Sequence, residues 1–174
     1  MERFGGPLTG IALLLVVCGC GAAPSAPVLP GDESARPVGI GTLPRFAIRS
    51  VDLAGDLGGS IENGRWDLDV PAGAIEGDAR VTMTVAYIKS GDCTMAIVPA
   101  DKNKFDVPAL LTVDCAALTN EQLAQSVILE FDPATRRWFE VAGSSVDVPR
   151  RTVSALVDHV ARYTVGPAGG KAGW

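Results

Sequence analysis

Glu62-Asn63-Gly64-Arg65-Trp66-Asp67-Leu68-Asp69-Val70-Pro71-Ala72-Gly73 holds a turn, a strand and a stop in one short stretch. Asn-Gly between two extended runs is the strongest short hairpin signal, because the central positions of the tight turn take positive φ. Trp66, Leu68 and Val70 alternate with Asp67 and Asp69, the period of a strand with one buried and one wetter face. Pro71 cannot donate to a ladder and closes the strand. Trp66 is in register with Leu68 and Val70, so it is expected in the core.

The same period extends outward on both sides. Val81, Met83, Val85 and Tyr87 alternate with Thr82, Thr84 and Ala86, and Val153, Ala155 and Val157 with Ser154 and Leu156. Further strands are expected at Phe46–Val51, Met95–Val98, Leu110–Val113, Val127–Phe131, Trp138–Val141 and Arg162–Val165. Only Thr119–Gln125 reads as helical, with Asn120 as its cap and Glu121 in its first turn. Asp132-Pro133-Ala134-Thr135-Arg136 has the residue order of a type I turn. About nine short strands and one helical turn specify an all-β fold, an antiparallel β-sandwich. Composition agrees: 20 glycines and 12 prolines favour turns, and 47% hydrophobic with 20% charged residues excludes wholesale disorder. A net charge of −5 with no basic cluster argues against nucleic-acid binding.

Gly58-Gly59-Ser60-Ile61, then Asn63-Gly64, then Leu68-Asp-Val-Pro-Ala-Gly-Ala-Ile75 and Val81-Thr-Met-Thr-Val85 form an ordered set of motifs. Phe105-Asp-Val-Pro108, Phe131 to Val141 and Asp158-His-Val-Ala-Arg-Tyr163 continue it. In this order the chain, from Leu57 to Val165, resembles the ZU-five domain of ankyrins, netrin receptors and zonula occludens proteins, with its bacterial surface relatives. The resemblance implies a β-sandwich and protein–protein contact more than catalysis. Some members of that family cut themselves at a His-Phe-Ser motif. Here His159 is followed by Val160 and Ala161, so the attacking hydroxyl is missing and self-cleavage by that route is not expected.

The N-terminus reads as an address. Arg3 precedes the apolar run Ile11–Val17, which is shorter than the roughly 20 residues a membrane span needs. Val17-Cys18-Gly19-Cys20 resembles a bacterial lipobox with Cys20 as the lipidated residue. Residues 1–19 are then a lipoprotein signal peptide and 20–44 a Pro/Ala/Gly-rich tether. Gly21 to Pro44 holds five of the prolines and reaches roughly 30 Å as a coil or roughly 70 Å as extended polyproline. Residues 45–165 form the folded domain and 166–174 a flexible tail ending in Trp174. This places the domain on the extracytoplasmic face of a bacterial membrane, held by a lipid anchor.

Candidate chemistry is sparse. Cys93 and Cys115, extracytoplasmic by this reading, are expected to form a disulfide worth roughly 3 kcal/mol in the chain-entropy model. Two cysteines and one histidine fall short of a closed zinc site. Asp101-Lys-Asn103-Lys-Phe105-Asp106 begins like a calcium loop, but has Phe at the fifth position and no glycine after it. No cofactor or metal is expected. His159 is the sole histidine, and a strand there would point Asp158 to the opposite face, away from the ring. No enzyme is indicated. On a strand, one of Trp138 and Phe139 must face outward, and these two are the candidate ligand face. The expected function is a non-catalytic interaction module contacting an envelope protein; the alternative is a module that binds carbohydrate or cell-wall glycan.

Overall fold

The computed structural model describes residues 46–86 and 91–170; the signal segment, Cys20, the tether and Trp174 lie outside them. Among the described residues there are eleven strands: β1 (Phe46–Leu53), β2 (Gly59–Asn63), β3 (Trp66–Val70), β4 (Ala79–Ala86), β5 (Cys93–Val98), β6 (Ala109–Asp114), β7 (Ser126–Asp132), β8 (Arg137–Glu140), β9 (Ser145–Asp147), β10 (Thr152–Val157) and β11 (Arg162–Pro167). A short helix, α1 (Asn120–Ala124), precedes β7, and a single 3-10 turn spans Ala100–Lys102. The strands form two antiparallel sheets, β1-β4-β5-β11-β7-β8 and β2-β3-β6-β10-β9, as the all-β sandwich reading requires. Two of the strands, β2 and β9, stand beyond the nine read from alternation. The first is the other arm of the Asn-Gly hairpin, and the second has only three residues and too little pattern to read.

Alternation in sequence becomes alternation in burial. In β4 the side chains of Val81, Met83 and Val85 are buried while Arg80 is exposed. Trp66, Leu68, Leu111, Val113 and Val153 from one sheet meet Val81, Met83, Ile128, Tyr163 and Val165 from the other in a single core. Trp66 is fully buried, and its indole N–H donates to Gly91 O at 2.9 Å. That bond matters because a buried indole N–H left without a partner would offset part of what burying the ring contributes.

The β2–β3 turn does more than reverse the chain. Gly64 takes φ +64°, the left-handed conformation that a side chain resists. Beside it, Asn63 donates from Nδ2 to Ala47 O at 3.0 Å and to Met83 O at 2.9 Å, tying the turn to β1 and β4 of the opposite sheet. Pro71 follows the last residue of β3, as expected.

Two local expectations are corrected. The cap of α1 is Thr119 rather than Asn120: its Oγ1 accepts from Gln122 N, while Gln122 Oε1 accepts from Thr119 N, a complete capping box. Asn120 instead accepts from Arg151 at 2.8 Å. The expected tail is bound over its first residues. Gly166 and Pro167 extend β11 opposite Val127 and Ser126, Ala168 N donates to Gln125 O, and Gly169 N donates to a Glu140 carboxylate oxygen.

The two cysteines expected to pair, Cys93 and Cys115, are both buried, and each thiol is free in this structure. Cys93 opens β5 in the six-stranded sheet, whereas Cys115 follows β6 in the five-stranded sheet, where its thiol donates to Val113 O at 3.7 Å. Spacing in the chain cannot reveal that split. Burial, helped by the charge of Asp92, pushes the Cys93 thiol up to about 12, and burial also raises that of Cys115. Both stay protonated at neutral pH, and a thiol without thiolate character is a poor nucleophile.

Candidate functional site

The chain crosses between the sheets at the corner Asp158–Ala161, from β10 to β11. Polar side chains from several elements converge here. Because the backbone bends rather than continuing as a strand, Asp158 and His159 do not point apart. Asp158 Oδ1 lies 2.7 Å from His159 Nδ1, which corrects the expectation of opposite faces. The other ring nitrogen, Nε2, lies 3.0 Å from Glu130 Oε1 on β7.

The corner's backbone is held independently of that ring. Asn103 accepts from Val160 N at 2.8 Å and donates to Val160 O at 3.0 Å, like a short piece of strand built from one side chain. Phe105 N donates to Asp158 O at 2.6 Å, and Met95 N to Ala161 O at 2.9 Å. Tyr163, fully buried, donates its hydroxyl to His159 O at 2.9 Å. A tyrosine bonding back to main chain four residues upstream is the tyrosine-corner arrangement of Greek-key sandwiches. The stretch that resembled a calcium loop is thus structural, with Asn103 committed to Val160 and Phe105 buried.

Electrostatics follow from these contacts. Partial burial alone would lower the His159 pKa, but the hydrogen bonds and charges of Asp158 and Glu130 outweigh it, and the net direction is up. The bond from His159 holds the Asp158 carboxyl below its ordinary range. Burial first, then the charges of Glu130 and Asp158, push the Tyr163 phenol up, so it remains a donor.

Beside the corner, β7 and β8 form a hairpin closed by Asp132. Its carboxylate accepts from Ala134 N and from the Thr135 hydroxyl, and Arg136 N donates to its carbonyl. Phe131 and Trp138 are cross-strand partners and share a face, their rings 5.2 Å apart and inclined at 58°. The Arg162 guanidinium, at the start of β11, lies 5.3 Å from both ring centroids. Its NH2 donates to Asp92 Oδ2 at 2.5 Å, and that carboxylate is nearly buried. Arg162 is therefore held by a carboxylate at one nitrogen and by two aromatic rings beside it.

Face and exposure separate the two candidate aromatics. Trp138 points to the outer face of its sheet yet is partly buried, because Phe131 and Arg162 lean on it. Phe139 sits opposite Glu130 on the inner side but remains 50% exposed, since β8 is the edge strand of its sheet.

A groove of about 380 Å³ runs between corner and hairpin, lined by Glu130, Phe131, Pro133, His159, Val160 and Arg162, among others. A larger hollow of about 570 Å³ lies by Glu76, Asp101, Lys102 and Lys104. Its central Lys102 ammonium is already bound to Glu76 O and Asp78 O, so that charge serves the fold. The sequence offers no signal for Arg162, Asp92 or Glu130 as a group, and it offers Asn103 only within the calcium-like stretch. Only Tyr163 had a readable signal there, its four-residue spacing from His159 at a strand entry. No protein-family model matches the chain, and no curated protein matches it.

Proposed function

We propose that this chain is a membrane-anchored extracytoplasmic lipoprotein whose β-sandwich is a non-catalytic module contacting another protein. In this reading Cys20 carries the lipid and residues 20–44 hold the domain away from the membrane. The observation that carries the interaction surface is Arg162 at the start of β11, fixed between Phe131, Trp138 and Asp92. Arginine and tryptophan dominate binding hot spots, and side chains already held in place lose little entropy on contact. The motif order that resembles ZU-five domains supports the same class of function.

A catalytic reading finds less support at the corner. Both nitrogens of His159 face carboxylates, and the Tyr163 hydroxyl is given to the main chain. The glycan alternative draws on the half-exposed Phe139. It is weakened because the Trp138 ring is already shared with Phe131 and Arg162.

The test uses the full chain in a bacterial envelope. Cys20→Ala is expected to abolish acylation and release the protein to the soluble fraction. A photo-crosslinker replacing Phe139 is expected to give one discrete protein adduct that Arg162→Ala removes. Continued membrane retention of Cys20→Ala overturns the anchor. Tryptophan quenching by cell-wall glycans, with no discrete protein adduct, overturns the protein partner in favour of the glycan.

A further inference from the structure

The chain's one histidine is placed between two groups that only accept hydrogen bonds. A neutral imidazole carries a single N–H, and an ionised carboxylate has none. At 2.7 Å and 3.0 Å, both contacts are hydrogen bonds only when the ring holds two protons. With one proton, a nitrogen lone pair would face a carboxylate oxygen at one of them.

We propose that His159 is a pH-dependent latch on the groove: as an imidazolium it joins Glu130 of β7 to the β10–β11 corner, and on losing a proton it keeps Asp158 and releases Glu130. Asp158 is retained because it is the sequence neighbour and makes the shorter contact. The corner stays in place, because Asn103, Phe105 and Tyr163 hold its backbone without using the ring. The group set free is the Glu130 side chain, whose carboxylate has its one hydrogen bond among the described residues at His159.

Other charged and titratable groups around the ring are accounted for. Lys104, from the stretch before β6, acts on Asp158. Arg162 on β11 is tied to Asp92, and Glu140 on β8 accepts from Gly169 N. The Tyr163 phenol donates to the His159 carbonyl and does not reach the ring nitrogens through that bond. Glu130, His159, Phe131 and Arg162 line one groove, so releasing Glu130 changes both its width and its charge. That a partner sits in this groove rests on the proposed function; the latch itself rests on the hydrogen-bond geometry.

The experiment is heteronuclear NMR of the full-length chain in detergent micelles. The sole histidine needs no assignment, and the Glu130 side-chain carboxyl carbon is followed alongside it. At neutral pH both ring nitrogens are expected to carry protons. As pH rises the ring should titrate above an ordinary histidine, and the Glu130 carbon should shift with the same midpoint. Glu130→Gln should lower that midpoint. In His159→Gln the Glu130 carbon should lose its step, because an amide donates at every pH. A singly protonated ring at neutral pH overturns the latch, as does a midpoint unmoved by Glu130→Gln. Should that variant fail to fold, a Glu130 carbon that stays flat through the wild-type titration overturns it equally. Crosslinking at Phe139 reports on the partner separately, so the two readings fail independently.

Discussion

The β2–β3 turn and the β10–β11 corner both carry an asparagine that reaches across to distant backbone, yet they were unequally visible in the sequence. At the first, Asn63 ends β2 opposite Trp66, and Gly64 and Arg65 make the turn one residue further on than an Asn-Gly centre predicts, so the motif still lies within the hairpin it makes. At the second, the clamp is Asn103, far along the chain from the Val160 it holds, and the partner of His159 is Glu130 on another strand. One turn is written locally and then reinforced by tertiary contacts. The other exists only through tertiary contacts.

The comparison is sharpest where the effects are largest. Trp66→Ala, in the strand leaving the local turn, should cost about 3–5 kcal/mol, the range for losing a large core ring. Urea denaturation with the slope held constant measures it; a cost below about 1 kcal/mol would mean that this side of the core is not tightly packed. Asn63→Ala and Asn103→Ala should each cost about 1–3 kcal/mol, because each leaves two backbone groups without their partner. The Asn63 change should be the greater, since its bond to Met83 O is buried while those of Asn103 are partly exposed. The reverse order in paired denaturation curves would make the corner, not the turn, the main tie between the sheets.

Gly64→Ala separates conformation from crowding. A Cβ there meets Val85 at 3.9 Å, an ordinary contact, so the cost is that of the left-handed backbone, about 1–2 kcal/mol. An unchanged melting temperature would mean the turn tolerates another geometry. Thr119→Ala removes the capping box of α1 and should cost about 1 kcal/mol by the same measurement.

The smallest effect is expected at the corner's histidine, where solvent reaches both partners. His159→Gln should cost on the order of 1 kcal/mol or less, with a dependence on pH. The His159 pKa is raised, so its contribution is fully present below the unfolded value of about 6.5 and is lost as pH rises through the folded value. Asp158, whose pKa is lowered, contributes above its unfolded value of about 3.9 and loses that contribution as pH falls through the folded value. The stability difference between wild type and His159→Gln should therefore shrink as pH rises from below about 6.5 through the raised His159 value. A difference that grows over that interval would show that burial, rather than the two carboxylates, governs the ring.

Legibility in the sequence tracked the range of the interaction. Alternation at Trp66–Val70 and Val81–Val85 was enough to locate strands and their buried sides, because neighbours two apart share a face whatever the strand pairs with. It did not show that β5, which opens with Cys93, and β6, which Cys115 follows, belong to different sheets. Nor did it foresee Asp158 turning toward His159. Those two residues form a bend, where the strand rule of opposite faces does not hold.

What the sequence by itself determined was the all-β class, the Asn-Gly hairpin, the proline stop and the burial of Trp66. Each depends on backbone preference or on a period of two, and both act within a few residues. Only the tertiary structure brought Asp92, Phe131, Trp138 and Arg162 together, and Glu130, His159 and Asn103 together beside them. The physical reason is that hydrogen bonds and ring contacts are satisfied through space. A carboxylate on β7 and a histidine at the β10–β11 corner leave no joint mark on the chain until the sheets stack.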